Sequence, residues 1–272
     1  MATKIIALDA GHGLYTSGKQ TADKKYKEWT LNDNVRDYVV EYLSEYDCEF
    51  IFPDKNEGKT DESLASRVAY YKSKGAQVVV SIHHNAYKGV WGTATGTEVY
   101  VDRNSTAADR ELANLIAPKL AKYTGLKNRG VKKENWAVIN QNTIPAVLTE
   151  GGFMDNKNDY KVITSEAGQK GYAKAIAESL IIFLDLKKKS VVETPKQTNT
   201  TVSVNGTFKV KFLEDMNVRK GAGTNYKIVT EAKEGYVYTI TKTKKLKDGT
   251  PWGKLLSGAG WVCIADKYCK RV

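Results

Sequence analysis

The residues of this chain best suited to chemistry are its three histidines, which all follow short apolar runs typical of β-strands. His12 follows the first such run, His83 and His84 end a second, and Glu150 ends a third. If the three runs are neighbouring strands, His12, His83 and Glu150 converge at one edge of a sheet. Two imidazoles and carboxylates at one sheet edge indicate a metal site with hydrolytic chemistry.

The third ligand of such a site has to be a carboxylate, because a catalytic zinc ion typically takes three protein ligands. His84 adjoins His83 and would point to the opposite side of the strand. Glu28, just before a predicted helix, is the strongest candidate, although its position equally suits a solvated carboxylate that favours the helix start. Glu150 is the better general base, since two glycines follow it and leave room for a substrate. The ligand set suits zinc, and cobalt or manganese could also occupy it.

Strands and helices alternate along residues 1–187. Apolar runs predict the strands, and apolar positions at helical spacing predict the helices. The predicted strands cover 4–8, 49–52, 77–82, 97–101 and 146–149, and the predicted helices cover 29–45, 61–74, 107–124 and 165–186. This alternation is typical of an α/β domain with a mostly parallel sheet flanked by helices.

The composition of the chain changes after residue 187. Residues 188–205 are rich in Lys, Thr, Ser and Asn, which indicates a linker. Beyond them, short alternating runs separated by glycines predict a small all-β barrel over 206–272. The sequence therefore predicts two domains, 1–187 and 206–272, joined by that linker.

The net charge of +11 is concentrated in the tail. Residues 1–187 contain 25 Lys+Arg and 24 Asp+Glu, whereas residues 188–272 contain 17 and 7. A basic module beside a neutral one indicates an anionic partner, although a lysine-rich surface without a partner has the same composition. The tail has no aromatic stacking pair in a recognised RNA-binding motif, so no nucleic-acid partner is expected.

The remaining compositional features exclude several classes of protein. Cys48, Cys263 and Cys269 are an odd and sparse set, which predicts ordinary thiols, although Cys263 and Cys269 could pair. The apolar runs are too short to span a membrane, so no membrane partner is expected. The N-terminus has no basic segment followed by an apolar one, so no secretory signal is predicted.

Taken together, the motifs resemble those of zinc-dependent N-acetylmuramoyl-L-alanine amidases of the amidase-3 family. The resemblance spans about residues 3–186 and rests on four segments, 9–13, 28–32, 81–86 and 145–156. It implies that His12, Glu28 and His83 bind one zinc ion and that Glu150 is the catalytic carboxylate. The implied reaction is hydrolysis of the amide between the lactyl group of N-acetylmuramic acid and the L-alanine of the stem peptide. His84 stands where a small residue is common, which leaves a role in substrate contact open.

The tail resembles bacterial SH3-like domains, which commonly bind cell wall. This resemblance covers about residues 206–272 and rests on the segments 216–224, 234–235, 252–255 and 260–262. Trp252 and Trp261 would either line a peptide or glycan groove or pack in the barrel core.

These features predict a two-domain enzyme that degrades the cell wall, with an N-terminal amidase domain and a C-terminal wall-binding domain. The missing signal favours a phage endolysin that stays in the host cytoplasm until lysis, and an autolysin released by another route is the alternative. The expected partners are peptidoglycan and anionic wall polymers of a Gram-positive bacterium. A zinc peptidase that cuts within the stem peptide and a non-catalytic binding protein are the competing hypotheses. The sequence does not indicate an oligomeric state.

Overall fold

The chain folds into two units, Met1–Val191 and Val192–Val272. The computed structural model describes residues 3–54, 58–140, 143–189, 208–224, 226, 228–246, 248–256 and 259–272. The predicted linker, 188–205, lies outside the described residues from position 190 onward.

One mixed sheet organises the first unit. Its strands are β1 (Lys4–Ala10), β2 (Cys48–Ile51), β3 (Val78–Asn85), β4 (Thr97–Asp102), β5 (Asn128–Glu134) and β6 (Ala146–Phe153). Its helices are α1 (Glu28–Tyr42), α2 (Leu64–Ser73), α3 (Ala107–Thr124), α4 (Lys157–Ile163) and α5 (Glu166–Phe183). The strand order is β2-β1-β3-β6-β4-β5, in which β4 runs antiparallel to β6 and the other neighbours are parallel. The predicted α/β fold with a mostly parallel, helix-flanked sheet is confirmed.

The two faces of this sheet have different environments. Helices α1, α3 and α5 cover one face and bury the main core, in which Val35, Leu112 and Ile176 are fully inaccessible. Helix α2 covers part of the other face, where its Tyr71 packs beside Val79. Because side chains alternate along a strand, this second face also carries Asp9, His83 and Glu150 near the strand ends.

Strand β5 and helix α4 were not predicted from the sequence. Strand β5 is a polar strand that pairs with β4 at one end of the sheet order, so it lacks the apolar alternation of a buried strand. Helix α4 has seven residues, and its N-cap is the Asn156 side chain, which accepts hydrogen bonds from two backbone N–H groups of the first turn. A helix this short has too few turns to show an apolar period.

The described residues of the second unit form only β structure. Its strands are β7 (Phe208–Phe212), β8 (Met216–Arg219), β9 (Ile228–Ala232), β10 (Val237–Lys245), β11 (Pro251–Leu255), β12 (Trp261–Cys263) and β13 (Cys269–Arg271). They make one antiparallel sheet in the order β13-β7-β10-β11-β12-β8-β9. The predicted all-β character of the tail is confirmed.

The tail tryptophans and the three cysteines have the following environments in the structure. Trp252 is buried in a cluster with Cys263, whereas Trp261 is half-buried at its side. All three cysteines are free thiols, as expected from their number. Within the described residues, no helix is long and apolar enough to cross a membrane.

Candidate active site

The ends of three adjacent strands form the candidate site. Strand β3 lies between β1 and β6 and is parallel to both. His83 of β3 is directly in register with Glu150 of β6, and His12 follows the end of β1. The structure thus brings these three residues to one sheet edge.

Two imidazoles and one carboxylate converge at this edge. His12 Nε2 lies 3.3 Å and His83 Nδ1 lies 3.1 Å from Glu28 Oε1. One ligand atom from each of the three residues lies within 4.8 Å of the other two. Two imidazole nitrogens and a carboxylate oxygen are a donor set that zinc favours, and three protein ligands leave a position for substrate or water. The three residues therefore fit a zinc ion.

Glu28 reaches the cluster because helix α1 begins at it. One turn further along α1, Asn32 donates a hydrogen bond of 3.1 Å to the carbonyl of Gly11 and fixes the helix against the β1 turn. Glu28 is only 2% exposed, and its Oε1 also accepts the backbone N–H of His84 at 3.3 Å. Burial alone would raise the pKa of Glu28, but hydrogen bonds from His12 and His83 hold it well below its usual range. The carboxylate is therefore ionised and available as a ligand.

His84 points to the opposite side of β3 from His83, as strand alternation predicts. Its Nδ1 lies 2.8 Å from Asn32 Oδ1, and its ring meets Tyr172 of α5 edge-on at 5.5 Å. Burial lowers the pKa of His84 to about 4, so the ring is neutral at physiological pH. Because the Asn32 amide nitrogen donates to the Gly11 carbonyl, the Asn32 amide oxygen accepts a hydrogen bond from the Nδ1–H of His84. His84 thus positions α1, and through it Glu28.

His12 has a strained backbone that a buried ion pair holds in place. Its φ is +66°, a left-handed conformation that costs free energy for a residue with a Cβ. Arg67 of α2 donates to the His12 carbonyl at 2.7 Å and forms an ion pair with Asp9, which also accepts from Ser81 Oγ at 2.8 Å. The fully buried Asp9–Arg67 pair therefore supports the turn that presents the His12 imidazole.

Glu150 occupies a different electrostatic environment from Glu28. It is 8% exposed, and its Oε2 has no hydrogen-bond partner among the described residues. Burial has the largest effect and raises the pKa of Glu150 well above its ordinary value. The negative charges of Glu28 and Glu98 raise this pKa further, whereas the positive charge of Lys19 lowers it. A buried carboxylate with an unused oxygen is suited to exchanging protons with a bound substrate.

Glu98 faces Glu150 across the junction between β4 and β6, and the sequence analysis did not single it out. The two residues are in direct register on antiparallel strands. Glu98 forms ion pairs with Arg129 and with Lys132, the latter at 2.7 Å, and accepts a hydrogen bond from the Tyr100 hydroxyl. Arg129 and Lys132 come from the neighbouring strand β5 and neutralise a carboxylate that would otherwise add fully to the negative charge around Glu150.

A cavity of about 1030 Å³ opens over these residues. Both the three-residue cluster and Glu150 line this cavity. Its other lining residues include Lys19, Asp61, Glu62, Ser63, Leu64, Arg67, Asn135, Trp136, Val138 and Leu148. The cavity is large enough for a substrate segment of several residues or sugar units.

We expect the variant Gly11→Ala to bind zinc about 10- to 100-fold more weakly than the parent, by analogy with the loss of supporting groups around metal ligands. A Cβ at Gly11 would overlap the His83 ring and displace it from the cluster. Calorimetric titration with zinc measures the change. Gly92→Ala is the matched control, because a Cβ there meets only one atom, the Val90 carbonyl oxygen at 3.6 Å. Equal zinc affinity of both variants and the parent would contradict this role of Gly11.

Comparison with known proteins identifies the family of this chain. The sequence model of the Amidase_3 family, described as N-acetylmuramoyl-L-alanine amidase, matches residues 6–181. The endolysin of Bacillus phage SPP1 is 29% identical over 98% of this chain and 97% of its own length. The N-acetylmuramoyl-L-alanine amidase CwlM of Bacillus licheniformis is 30% identical over 67% of this chain and 70% of its own length.

Solved structures show the same relationship for the first unit. The catalytic domain of the amidase CwlV from Paenibacillus polymyxa superposes with a TM-score of 0.62 at 32% identity, covering 68% of this chain and 99% of that domain. An N-acetylmuramoyl-L-alanine amidase from Clostridium difficile gives a TM-score of 0.63 at 27% identity, covering 68% of this chain and 98% of its own. The chain therefore belongs to the N-acetylmuramoyl-L-alanine amidase family of peptidoglycan hydrolases.

Proposed function

We propose that this amidase is zinc-dependent and that it hydrolyses the amide between the lactyl group of N-acetylmuramic acid and L-alanine. The observation that carries the proposal is the cluster of His12, Glu28 and His83 beside the buried carboxylate of Glu150. The three clustered residues would hold the ion, and Glu150 would be the catalytic acid and base. When bound, zinc would supply a Lewis acid that polarises the scissile carbonyl and activates water.

Glu150 would transfer the protons of the reaction, first as general base and then as general acid. In its ionised form it would accept a proton from the attacking water and return it to the amine nitrogen of the leaving L-alanine. Its free Oε2 and its place in register with His83 support this assignment. The Asp9–Arg67 pair and the Asn32–His84 pair would keep the ligands in position during turnover.

The pH dependence of hydrolysis tests Glu150 as the base, because the rate rises as the pH passes the pKa of this group. Glu98→Gln removes a negative charge, so it should lower the pKa of Glu150 and move the acidic limb to lower pH. Lys19→Met removes a positive charge, so it should raise the pKa of Glu150 and move the acidic limb to higher pH. We expect the shift for each of the two variants to be about half a pH unit or more. Profiles of kcat/KM against pH measure both. Two shifts of the same sign would contradict the assignment.

The second unit would bind the wall. We assign residues 1–187 to catalysis, 188–205 to a linker and 206–272 to an SH3-like domain. Its antiparallel strands around an apolar core and its strong positive charge support binding to anionic wall polymers. The match to the phage SPP1 endolysin over nearly the full length of both chains supports an endolysin, and the Bacillus origin of the relatives supports a Gram-positive target.

The deciding experiment is digestion of purified Gram-positive peptidoglycan by the full chain, with chelator and then with added zinc. The proposal predicts new amino groups on L-alanine, no new reducing sugar ends, loss of activity with chelator and recovery with zinc. Zinc-dependent release of other amino termini would instead identify a peptidase that cuts within the stem peptide. Full activity in chelator would overturn the metal assignment.

A further inference from the structure

Trp136 is an aromatic residue of the catalytic cavity that the proposed mechanism leaves without a role. It lies after β5, lines the same cavity as His12 and Glu150, and is 37% exposed. A large apolar side chain left partly open beside a reaction centre is a candidate for contact with substrate.

The indole is held as a rigid platform. Its ring packs on Tyr100 of β4, with the centroids 4.6 Å apart and the planes tilted by 41°. Tyr100 is in turn fixed by its hydrogen bond to the buried Glu98. The backbone carbonyl of Trp136 accepts the N–H groups of Ile139 and Asn140, both at 3.0 Å, which closes a turn whose Ile139 side chain is buried in the core.

Trp136 lies on the opposite side of the cavity from Asp61, Glu62 and Arg67. Asp61 and Glu62 precede α2, whose Arg67 is paired with Asp9 of β1, whereas Trp136 packs on β4. In the sheet, β3 and β6 lie between β1 and β4, so the two sides are about 14 Å apart at normal strand spacing. The two intervening strands carry His83 and Glu150, which places the reaction centre between a charged end and an aromatic end.

We propose that Trp136 is the platform on which the sugar ring of the muramyl group stacks, and that it makes the enzyme selective for amides that carry this sugar. This inference rests on the proposed function. Once its lactyl carboxyl is in an amide, the sugar is uncharged and presents C–H groups that suit the negative face of an indole. The stem peptide carries charged groups, which suit the opposite end of the cavity. Asn135 lines the cavity beside Trp136 and adds an amide that can bond sugar hydroxyl or acetamido groups.

The test compares Trp136→Ala on two substrates that contain the same scissile amide, a muramyl peptide and a lactyl peptide without the sugar. We expect kcat/KM to fall about 10- to 100-fold on the muramyl peptide, mainly through KM, and to stay unchanged on the lactyl peptide. Trp136→Phe should retain most of the activity. Trp91→Ala is the matched control, since Trp91 is 41% exposed and packs edge-on against Tyr160.

A binding measurement separates this inference from the proposed reaction. The GlcNAc–MurNAc disaccharide has no peptide to cleave, and its affinity for the zinc-loaded full chain is measured by calorimetry. Trp136→Ala should weaken this binding at least about 10-fold, whereas Trp91→Ala should leave it unchanged. Equal affinity of the parent and Trp136→Ala, or an equal loss of kcat/KM on both substrates, would overturn the platform. Hydrolysis of neither substrate by the parent would instead contradict the proposed reaction, and the disaccharide titration would still decide the role of Trp136.

Discussion

The variant Glu150→Gln is expected to lose hydrolysis by about 10²- to 10⁴-fold, the usual contribution of general acid–base catalysis. The same variant should be more stable than the parent. Glu150 is buried with an unpaired oxygen, and its pKa is raised in the folded state. A carboxyl whose pKa is higher in the folded than in the unfolded protein destabilises the folded state at every pH above its unfolded pKa, which is about 4.3. The gain in stability should therefore be present at neutral pH and disappear as the pH falls below that value.

Thermal unfolding of the metal-free protein at neutral and acidic pH measures the change in Tm. Glu98→Gln is the matched control, because Glu98 is also buried but has Arg129, Lys132 and the Tyr100 hydroxyl as partners. Its replacement leaves two cations unpaired, so it should lower Tm at neutral pH. If Glu150→Gln hydrolyses peptidoglycan at the parent rate, Glu150 is not the base. If its Tm falls at neutral pH, the electrostatic description of the site is wrong.

Glu28→Gln should abolish both the zinc-dependent activity and the stabilisation of the fold by zinc. A ligand that binds only the folded state stabilises it by about 2.7 kcal/mol at one hundred times its Kd. The parent should show this effect in added zinc, whereas the variant, which keeps the shape of Glu28 but loses its charge, should show almost none. Thermal unfolding against zinc concentration measures the difference.

Glu62→Gln provides the control for this experiment, because Glu62 lines the same cavity but lies outside the ligand cluster. It should respond to zinc as the parent does. Full zinc stabilisation of Glu28→Gln would show that the ion binds elsewhere.

Much of the site could be predicted because strand ends carry its chemistry. His12, His83 and Glu150 each follow a recognisable apolar run, and the three runs are adjacent strands in the sheet. The position of Glu28 was ambiguous, since spacing alone cannot distinguish a ligand from a carboxylate at a helix start. Its burial depends on the contact of Asn32 with Gly11, 21 residues apart, and local sequence does not show such a contact.

The residues that support the site could not be predicted for the same reason, because their contacts join distant parts of the sequence. Arg67 meets Asp9 across 58 residues, and Arg129 meets Glu98 across 31, so neither pair leaves a local pattern. The reversed direction of β4 was also not predicted, because an alternating run looks the same in either direction. Glu98 is in register with Glu150 on this reversed strand, so one of the two negative neighbours of Glu150 follows from topology.

The left-handed backbone at His12 has a consequence for directed evolution. A glycine at this position would adopt the observed φ of +66° without the Cβ penalty, which is about 1 kcal/mol or more. The same change would remove the hydrogen bond that His12 makes to the buried Glu28, so its effect on heat tolerance combines relieved backbone strain with a lost partner. Its effect on lysis has no such compensation, because an imidazole of the ligand cluster is lost. In a paired scan of protein abundance and lytic activity, glycine at position 12 should therefore lower lysis far more than abundance.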